Sequence, residues 1–392
     1  TICLIGFFSV SSFSLVSPIL SLYAKDFVKA TIVEIGVITS AFFVASASIK
    51  IPLGIFGGGK RTPLFFAVSL LLLTILPYLY TLTETSTVLA LVRAVHGIAF
   101  ALATTVSLII TPLTVPEHRK NQATALYSLL TGLGLVTGSA IGTLSVAIVD
   151  LRSSFYLASL LALPGFVLGF EFIRRLYSIE SQWVLLLDRP SELDLRRKLV
   201  RVTSNRLFLT AFFACLAYFF AFGAVLAYAP LYLKQQLGLS YFSVAAIFFG
   251  CYSSTTLTRL PLGTLVMRYR HGKEIMLFLA EALAAILLSS ISLLADPTLF
   301  ALVIVLFGIS QGVIYPVGAM ISTETISPSE LVLANSLYLV AWDLGLALGP
   351  VLTSTIASSA GLLSAMAVSS ALPAASIVPI LHILLSKKKN KL

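Results

Sequence analysis

The chain has 392 residues, of which 58% are apolar and 11% charged, with a mean hydropathy of +1.00. Soluble domains carry about 25% charge, so the composition excludes a soluble globular enzyme, and its hydrophobicity excludes a disordered chain. A net charge of +10 would point to nucleic acid in a soluble protein, but here the placement of the charges gives it another meaning.

Charge-poor stretches run over 1–24, 31–56, 62–83, 85–112, 123–149, 153–173, 207–233, 241–267, 275–295, 298–320, 331–356 and 361–385. These are twelve predicted helices, each long enough for about 30 Å of hydrocarbon, where a helix satisfies its own backbone. A cleaved signal peptide is the alternative for the first stretch. Its uncharged run exceeds the usual signal core and no basic segment precedes it, so a retained first helix is expected. Because the chain opens on Thr1, a short leader before it is also expected.

Between the sixth and seventh stretches, 174–206 mixes eight basic residues with several acids. It divides the chain into a six-helix half at 1–173 and another at 207–385, followed by a basic tail at 386–392. Arg196, Arg197 and Lys198 beside Leu193, Leu195 and Leu199 allow an amphipathic helix on an anionic leaflet; a solvated linker is the favoured reading. With the N-terminus inside, the inner loops, linker and tail hold nineteen Lys and Arg. The outer loops hold Lys25, Lys29, Arg152 and Lys234. That asymmetry places both termini in the cytoplasm, with the plasma membrane as the expected location. It also removes nucleic acid as a partner.

Cys3, Cys215 and Cys251 form no CxxC, and the four histidines are dispersed; neither a disulfide framework, nor a metal site, nor any cofactor is expected. H-E-x-x-H and Walker patterns are absent from the sequence, which speaks against a zinc hydrolase or an ATP-driven pump.

The two halves repeat each other. Lys50-Ile51-Pro52-Leu53-Gly54 matches Arg259-Leu260-Pro261-Leu262-Gly263. Ala123-Thr124-Ala125-Leu126-Tyr127 with Gly134, Gly138 and Gly142 matches Ala334-Asn335-Ser336-Leu337-Tyr338 with Gly345, Gly349 and Pro350. His96-Gly97 matches Gln311-Gly312. A parallel six-plus-six repeat is an architecture of transporters that rock two halves about a central site. On these residues the chain resembles the major facilitator superfamily, and most its twelve-helix drug:proton antiporter branch. Gly54 through Lys60 and Arg61, with Gly263 and Arg268 in the second half, resemble its cytoplasmic loop motif. Arg93 and Gly97 resemble its intramembrane arginine motif, and Gly134, Gly138 and Gly142 its antiporter motif. The loop motif lacks its usual aspartate, and Ser139 stands where proline is usual, which weakens the branch more than the superfamily.

The resemblance implies that the fifth and eleventh helices pack across the interface between halves, where their glycine faces would let the halves tilt. It also implies a central cavity lined by Arg93, His96, Tyr218, Gln311 and Tyr315. Charges in the hydrocarbon cost roughly 2.5–3.5 kcal/mol each on insertion scales, so the few present are functional candidates. Lys50 and Arg259 occupy equivalent repeat positions and are expected to gate or to anchor. Asp343, whose repeat partner is Gly132, is expected to couple protons with Arg93, and Lys50 is its expected cation. Glu281, on a helix that is peripheral in the family, is expected to snorkel or pair locally. The resulting reading is a secondary active transporter working by alternating access as a monomer. It would couple protons to the efflux of small amphiphilic compounds; a sugar or organic-anion importer or uniporter, and a sensor of transporter fold, are the alternatives.

Overall fold

A computed structural model describes residues 1–56, 62–177, 192–268, 272–294, 296–327 and 330–389. Lys60 and Arg61 of the loop motif, residues 178–191 of the linker and the end of the basic tail lie outside the described residues. Among those described, regular structure is helical and no strand occurs.

The first apolar stretch forms α1 (Ile2–Val16) and α2 (Leu20–Asp26). The break falls at Pro18, which has no N–H to continue the ladder. α3 (Ile32–Phe56) opens on a reciprocal cap, in which the Thr31 amide donates to Glu34 Oε2 at 2.7 Å and the Glu34 amide to Thr31 Oγ1 at 3.3 Å. Ser86 Oγ also donates to Glu34, at 2.6 Å, tying the start of α3 to that of α5 (Ser86–Ile110). α4 (Thr62–Tyr80), α6 (Lys120–Ile148) and α7 (Ser153–Tyr177) complete the first half. In the second half come α9 (Arg206–Gln235), α10 (Tyr241–Arg268), α11 (Gly272–Ser290), α12 (Pro297–Thr323), α13 (Leu331–Ser359), α14 (Leu362–Ser369) and α15 (Ala371–Lys389). Asp296 caps α12 by accepting from the Thr298 and Leu299 amides, and those bonds hold its carboxyl below the usual aspartate range.

Eleven spans are long and apolar enough to cross a membrane among the described residues, α1 with α2 counting as one and α14 with α15 as another. The remaining expected span is α10, a 28-residue helix whose middle carries Ser253, Ser254, Thr255, Thr256 and Thr258. Leu64, Phe65, Leu71 and Ile75 of α4 lie exposed on its outer face, as they must where lipid rather than water is the surrounding solvent.

The chain forms two compact units. One comprises 1–190 with 239–249, and the other 191–238 with 250–392. Within the first, α1 packs on α6 and α7, α3 on α5, and α4 on α5 and α7, around Ile5, Phe66, Leu70, Ala99 and Val106. Within the second, α9 packs on α13 and α12, and α11 on α12 and α15.

The glycine rows make the tightest of these contacts. A Cβ at Gly134 would meet the Phe7 carbonyl at 2.7 Å, at Gly138 it would overlap the Ser11 carbonyl, and at Gly142 it would lie 3.0 Å from that of Leu15. Those rows therefore face α1. In the second unit Gly345 and Gly349 face the Leu216 and Phe220 carbonyls of α9, and Pro350 lies against Gly223. The expectation that these faces serve the interface between halves is corrected: their small surfaces are filled by a helix of the same unit, where close backbone approach stabilises packing.

The linker is described at its two ends. Its second part is a helix, α8 (Glu192–Thr203), with Arg196, Arg197 and Arg201 exposed and Val202 fully buried. Arg201 reaches Glu330 at 3.4 Å. Asn205, which caps α9, donates from Nδ2 to Thr325 Oγ1 at 2.8 Å. These bonds join the segment to its own unit, while Arg196, Arg197 and Arg201 remain exposed.

Candidate functional site

Arg93 is 1% exposed on α5, in the interior of the first unit. Its Nη1 donates to the Tyr80 hydroxyl at 3.3 Å, and that hydroxyl lies 2.5 Å from His96 Nδ1. Guanidinium has no acceptor, so the single Tyr80 proton goes to His96. The order of donation is therefore Arg93 to Tyr80 to His96, with Nδ1 accepting and a neutral imidazole carrying its proton on Nε2. That tautomer follows from the bonding pattern. Nε2 of His96 and Nε of Arg93 are both buried without a hydrogen-bond partner.

Aromatic rings enclose this chain of donors. The Arg93 guanidinium carbon lies 4.4 Å from the centre of the Phe42 ring, and the His96 ring meets the same phenylalanine edge-on. A desolvated cation over an aromatic face gains about 2 kcal/mol, which offsets part of the burial cost of Arg93. Gly97 brings α3 close enough for this contact, because any Cβ there would overlap the Phe42 carbonyl. Tyr23 donates to the Tyr80 carbonyl at 3.0 Å, and Phe155 packs edge-on against both tyrosines. Tyr80, Phe42 and Tyr23 were not among the residues singled out by the sequence. Tyr80 ends its helix, where a tyrosine reads as an ordinary interfacial anchor; an inward-facing Arg in need of an acceptor was the available signal.

The other expected site residues lie in the second unit. Tyr218 is fully buried, donates to the Phe307 carbonyl at 2.9 Å and stacks on the Phe307 ring at 4.7 Å. Gln311 accepts from Thr255 at 3.4 Å. Tyr315, Arg259 and Asp343 come together: the Arg259 guanidinium lies 5.6 Å from the Tyr315 ring centre, and both charged groups are electrostatically coupled to that tyrosine. Asp343 is 3% exposed on α13, and Lys50 is 4% exposed on α3 in the first unit. Gly54 falls within α3, while Gly263 and Arg268 fall within the last turns of α10. Among the described residues no group of three or more His, Cys, Asp or Glu is arranged to hold a metal ion.

Glu281 departs from expectation. It is 0% exposed at the centre of α11, so it neither snorkels to an interface nor faces lipid, and both its oxygens lack a hydrogen-bond partner.

Solved structures similar to this chain include transporters. The chain superposes on the nucleoside transporter NupG with a TM-score of 0.74 at 14% identity, covering 98% of each chain. A bacterial homolog of the human lysosomal transporter Spinster, in an inward-facing and occupied conformation, gives 0.69 at 14% identity, over 97% of this chain and 93% of that one. The human organic anion transporter MFSD10 gives 0.67 at 16% identity, over 97% of both. No curated protein matches the chain. The family model described as Major Facilitator Superfamily matches residues 2–288 and 255–392. The chain therefore belongs to the Major Facilitator Superfamily, a family of membrane transporters rather than enzymes.

Proposed function

We propose that the protein is a secondary active transporter that works by alternating access and couples protons to the export of small neutral or anionic amphiphiles. The observation that carries the substrate sign is Arg93, a permanent cation 1% exposed, with no acidic residue on α1, α5 or α9 to neutralise it. A cationic drug entering such surroundings would meet like charge in a poorly screened medium, which is strongly unfavourable. In this reading Arg93, His96, Tyr218, Gln311 and Tyr315 serve the substrate, and Asp343 with Arg93 serves the proton. Lys50 and Arg259 act as gating cations. The protein functions as a monomer in the plasma membrane with both termini and the 174–206 linker cytoplasmic.

Two structural neighbours, a nucleoside transporter and an organic anion transporter, are in keeping with neutral or anionic cargo. They also favour a second reading, uptake or facilitated exchange of an organic anion. A substrate panel in proteoliposomes, with a pH gradient imposed in each direction, tests both. Proton-driven uphill movement of neutral or anionic compounds is expected. Quaternary ammonium compounds as the best substrates would overturn the substrate sign, and accumulation insensitive to the pH gradient would overturn the coupling.

A further inference from the structure

The second unit contains an ionisable group that the proposed site does not use. Glu281 stands at the centre of the 19-residue α11, roughly 13 Å from either end at 1.5 Å per residue. A glutamate side chain cannot span that distance. Its exposure is 0%, and neither carboxyl oxygen meets hydrogen-bond geometry with any described group.

The surrounding donors are all engaged elsewhere. Ser376 of α15 lies beside the carboxyl, but its one proton goes to the Pro373 carbonyl at 2.7 Å. Tyr218 of α9 and Tyr338 of α13 are the ionisable side chains electrostatically coupled to Glu281. The Tyr218 proton goes to the Phe307 carbonyl at 2.9 Å, and that of Tyr338 goes to the Ile314 and Tyr315 carbonyls at 3.1 and 3.0 Å. Among the described residues, no cation is paired with Glu281. α12 and α14, which pack against α11, contain no Asp, Glu, Lys, Arg or His. In α15, His382 is exposed, six residues beyond Ser376, and Lys387, Lys388 and Lys389 end the helix, while in α9 Arg206 and Lys234 lie at the helix ends. On α11 itself the other charged side chains, Lys273 and Glu274, lie in the first turn, and Lys273 bonds Glu324 at 2.6 Å.

A carboxylate here would thus be buried with neither a donor nor a counter-charge, which costs several kcal/mol or more. A carboxylic acid fits. Ser376 Oγ, its proton already given to Pro373, offers only lone pairs to Glu281, and a protonated carboxyl has the O–H to match them.

We infer that Glu281 is a proton-binding site inside the second unit, a neutral acid beside the Ser376 hydroxyl in this conformation and a carboxylate in another step of the transport cycle. On release the carboxyl O–H bond breaks, the proton passes to water admitted when the surrounding helices part, and the same water solvates the anion left behind. The part it plays in the cycle rests on the proton coupling proposed above; the proton-binding site itself does not.

The experiment uses the full chain in proteoliposomes, with infrared difference spectra taken across a pH titration alongside transport. Wild type is expected to show the carbonyl band of a protonated carboxylic acid, and Glu281→Gln is expected to lack it. Ser376→Ala is expected to shift the band, because the acid loses its acceptor. Uphill transport driven by a pH gradient is expected to fall at least tenfold further than counterflow in Glu281→Gln, with Glu281→Asp partly restoring it; melting in detergent verifies the fold of each variant. An unchanged infrared band in Glu281→Gln overturns the proton-binding site. Undiminished uphill transport in a folded Glu281→Gln overturns its part in the cycle. Should wild type itself show no proton-driven transport, the proposed coupling fails, and the band alone then upholds or overturns the site.

Discussion

Tyr80 joins the two groups the sequence singled out in the first half, since its hydroxyl accepts from Arg93 and donates to His96. Tyr80→Phe keeps the ring and removes only that link, leaving Arg93 Nη1 and His96 Nδ1 buried without partners. Unsatisfied buried polar groups cost about 1–3 kcal/mol each, so the variant is expected to melt several degrees lower than wild type in detergent and to lose at least tenfold in transport. Wild-type melting and transport together would remove the hydroxyl from the mechanism. Arg93→Lys makes a companion test. Lysine keeps the charge but loses the planar fork that hydrogen-bonds Tyr80 while lying over Phe42, so Arg93→Lys is expected to lose transport in proteoliposomes as fully as Arg93→Ala. Arg93 and His96 were legible because an intramembrane cation stands out against an apolar run. Their partners were not, because which rings and hydroxyls meet α5 is decided by α3 and α4 together. For Glu281 the misreading has the same source. A single acid on an apolar helix marks itself in the sequence, but its depth and its lack of donors depend on α9, α12, α13 and α15.

At the scale of the helix, spacings of four in α6 and α13 showed that the glycines share a face, and the structure shows what fills it. The period of a helix says which residues point the same way and nothing about what they meet, hence the misassigned neighbour. A Cβ at Gly138 or Gly349 would overlap a backbone carbonyl of the adjoining helix, whereas one at Gly142 would stand 3.0 Å away. Backbone cannot move aside as a flexible side chain can. Gly138→Ala and Gly349→Ala are therefore expected to destabilise by about 1–3 kcal/mol or more, the range for overpacking, and Gly142→Ala by less. Melting of the three purified variants in detergent checks the ranking, and equal melting temperatures would mean that the helices separate without cost. The same reasoning makes the first-half contact between α3 and α5 sensitive to Gly97→Ala, because Phe42 would be pushed from its place over Arg93.

Across the whole molecule, the two repeat-related halves bury different chemistry. Among the described residues, Lys50, Arg93 and His96 are the buried basic groups of the first half, while Glu274, Glu281, Glu330 and Asp343 are buried acids in the second, with Arg259 near Tyr315. Exposed Lys and Arg follow another rule, clustering in the loops assigned to the cytoplasm. A cysteine at the exposed Ser204, in a background lacking Cys3, is accordingly expected to resist an impermeant thiol reagent in intact cells and to label after permeabilisation; labelling of intact cells would invert the topology. The acid-bearing half is the natural place for proton uptake, since an acid can exchange its charge near neutral pH when its surroundings change, whereas guanidinium cannot. Glu274 and Glu330 lie at helix starts; of the two acids in helix interiors, Glu281 has no hydrogen-bond partner among the described residues and Asp343 is coupled to the cluster of Tyr315 and Arg259. A carboxylate held by neighbouring groups in one conformation and freed in another takes up a proton only in the second, and that difference ties proton movement to the conformational cycle. Asp343→Asn fixes the neutral form while keeping the shape. It is expected to reduce uphill, gradient-driven transport at least tenfold while counterflow at equal pH falls far less, both measured in the same proteoliposomes. Uphill transport at the wild-type rate would take Asp343 out of the coupling and leave Glu281 as the buried acid able to carry it.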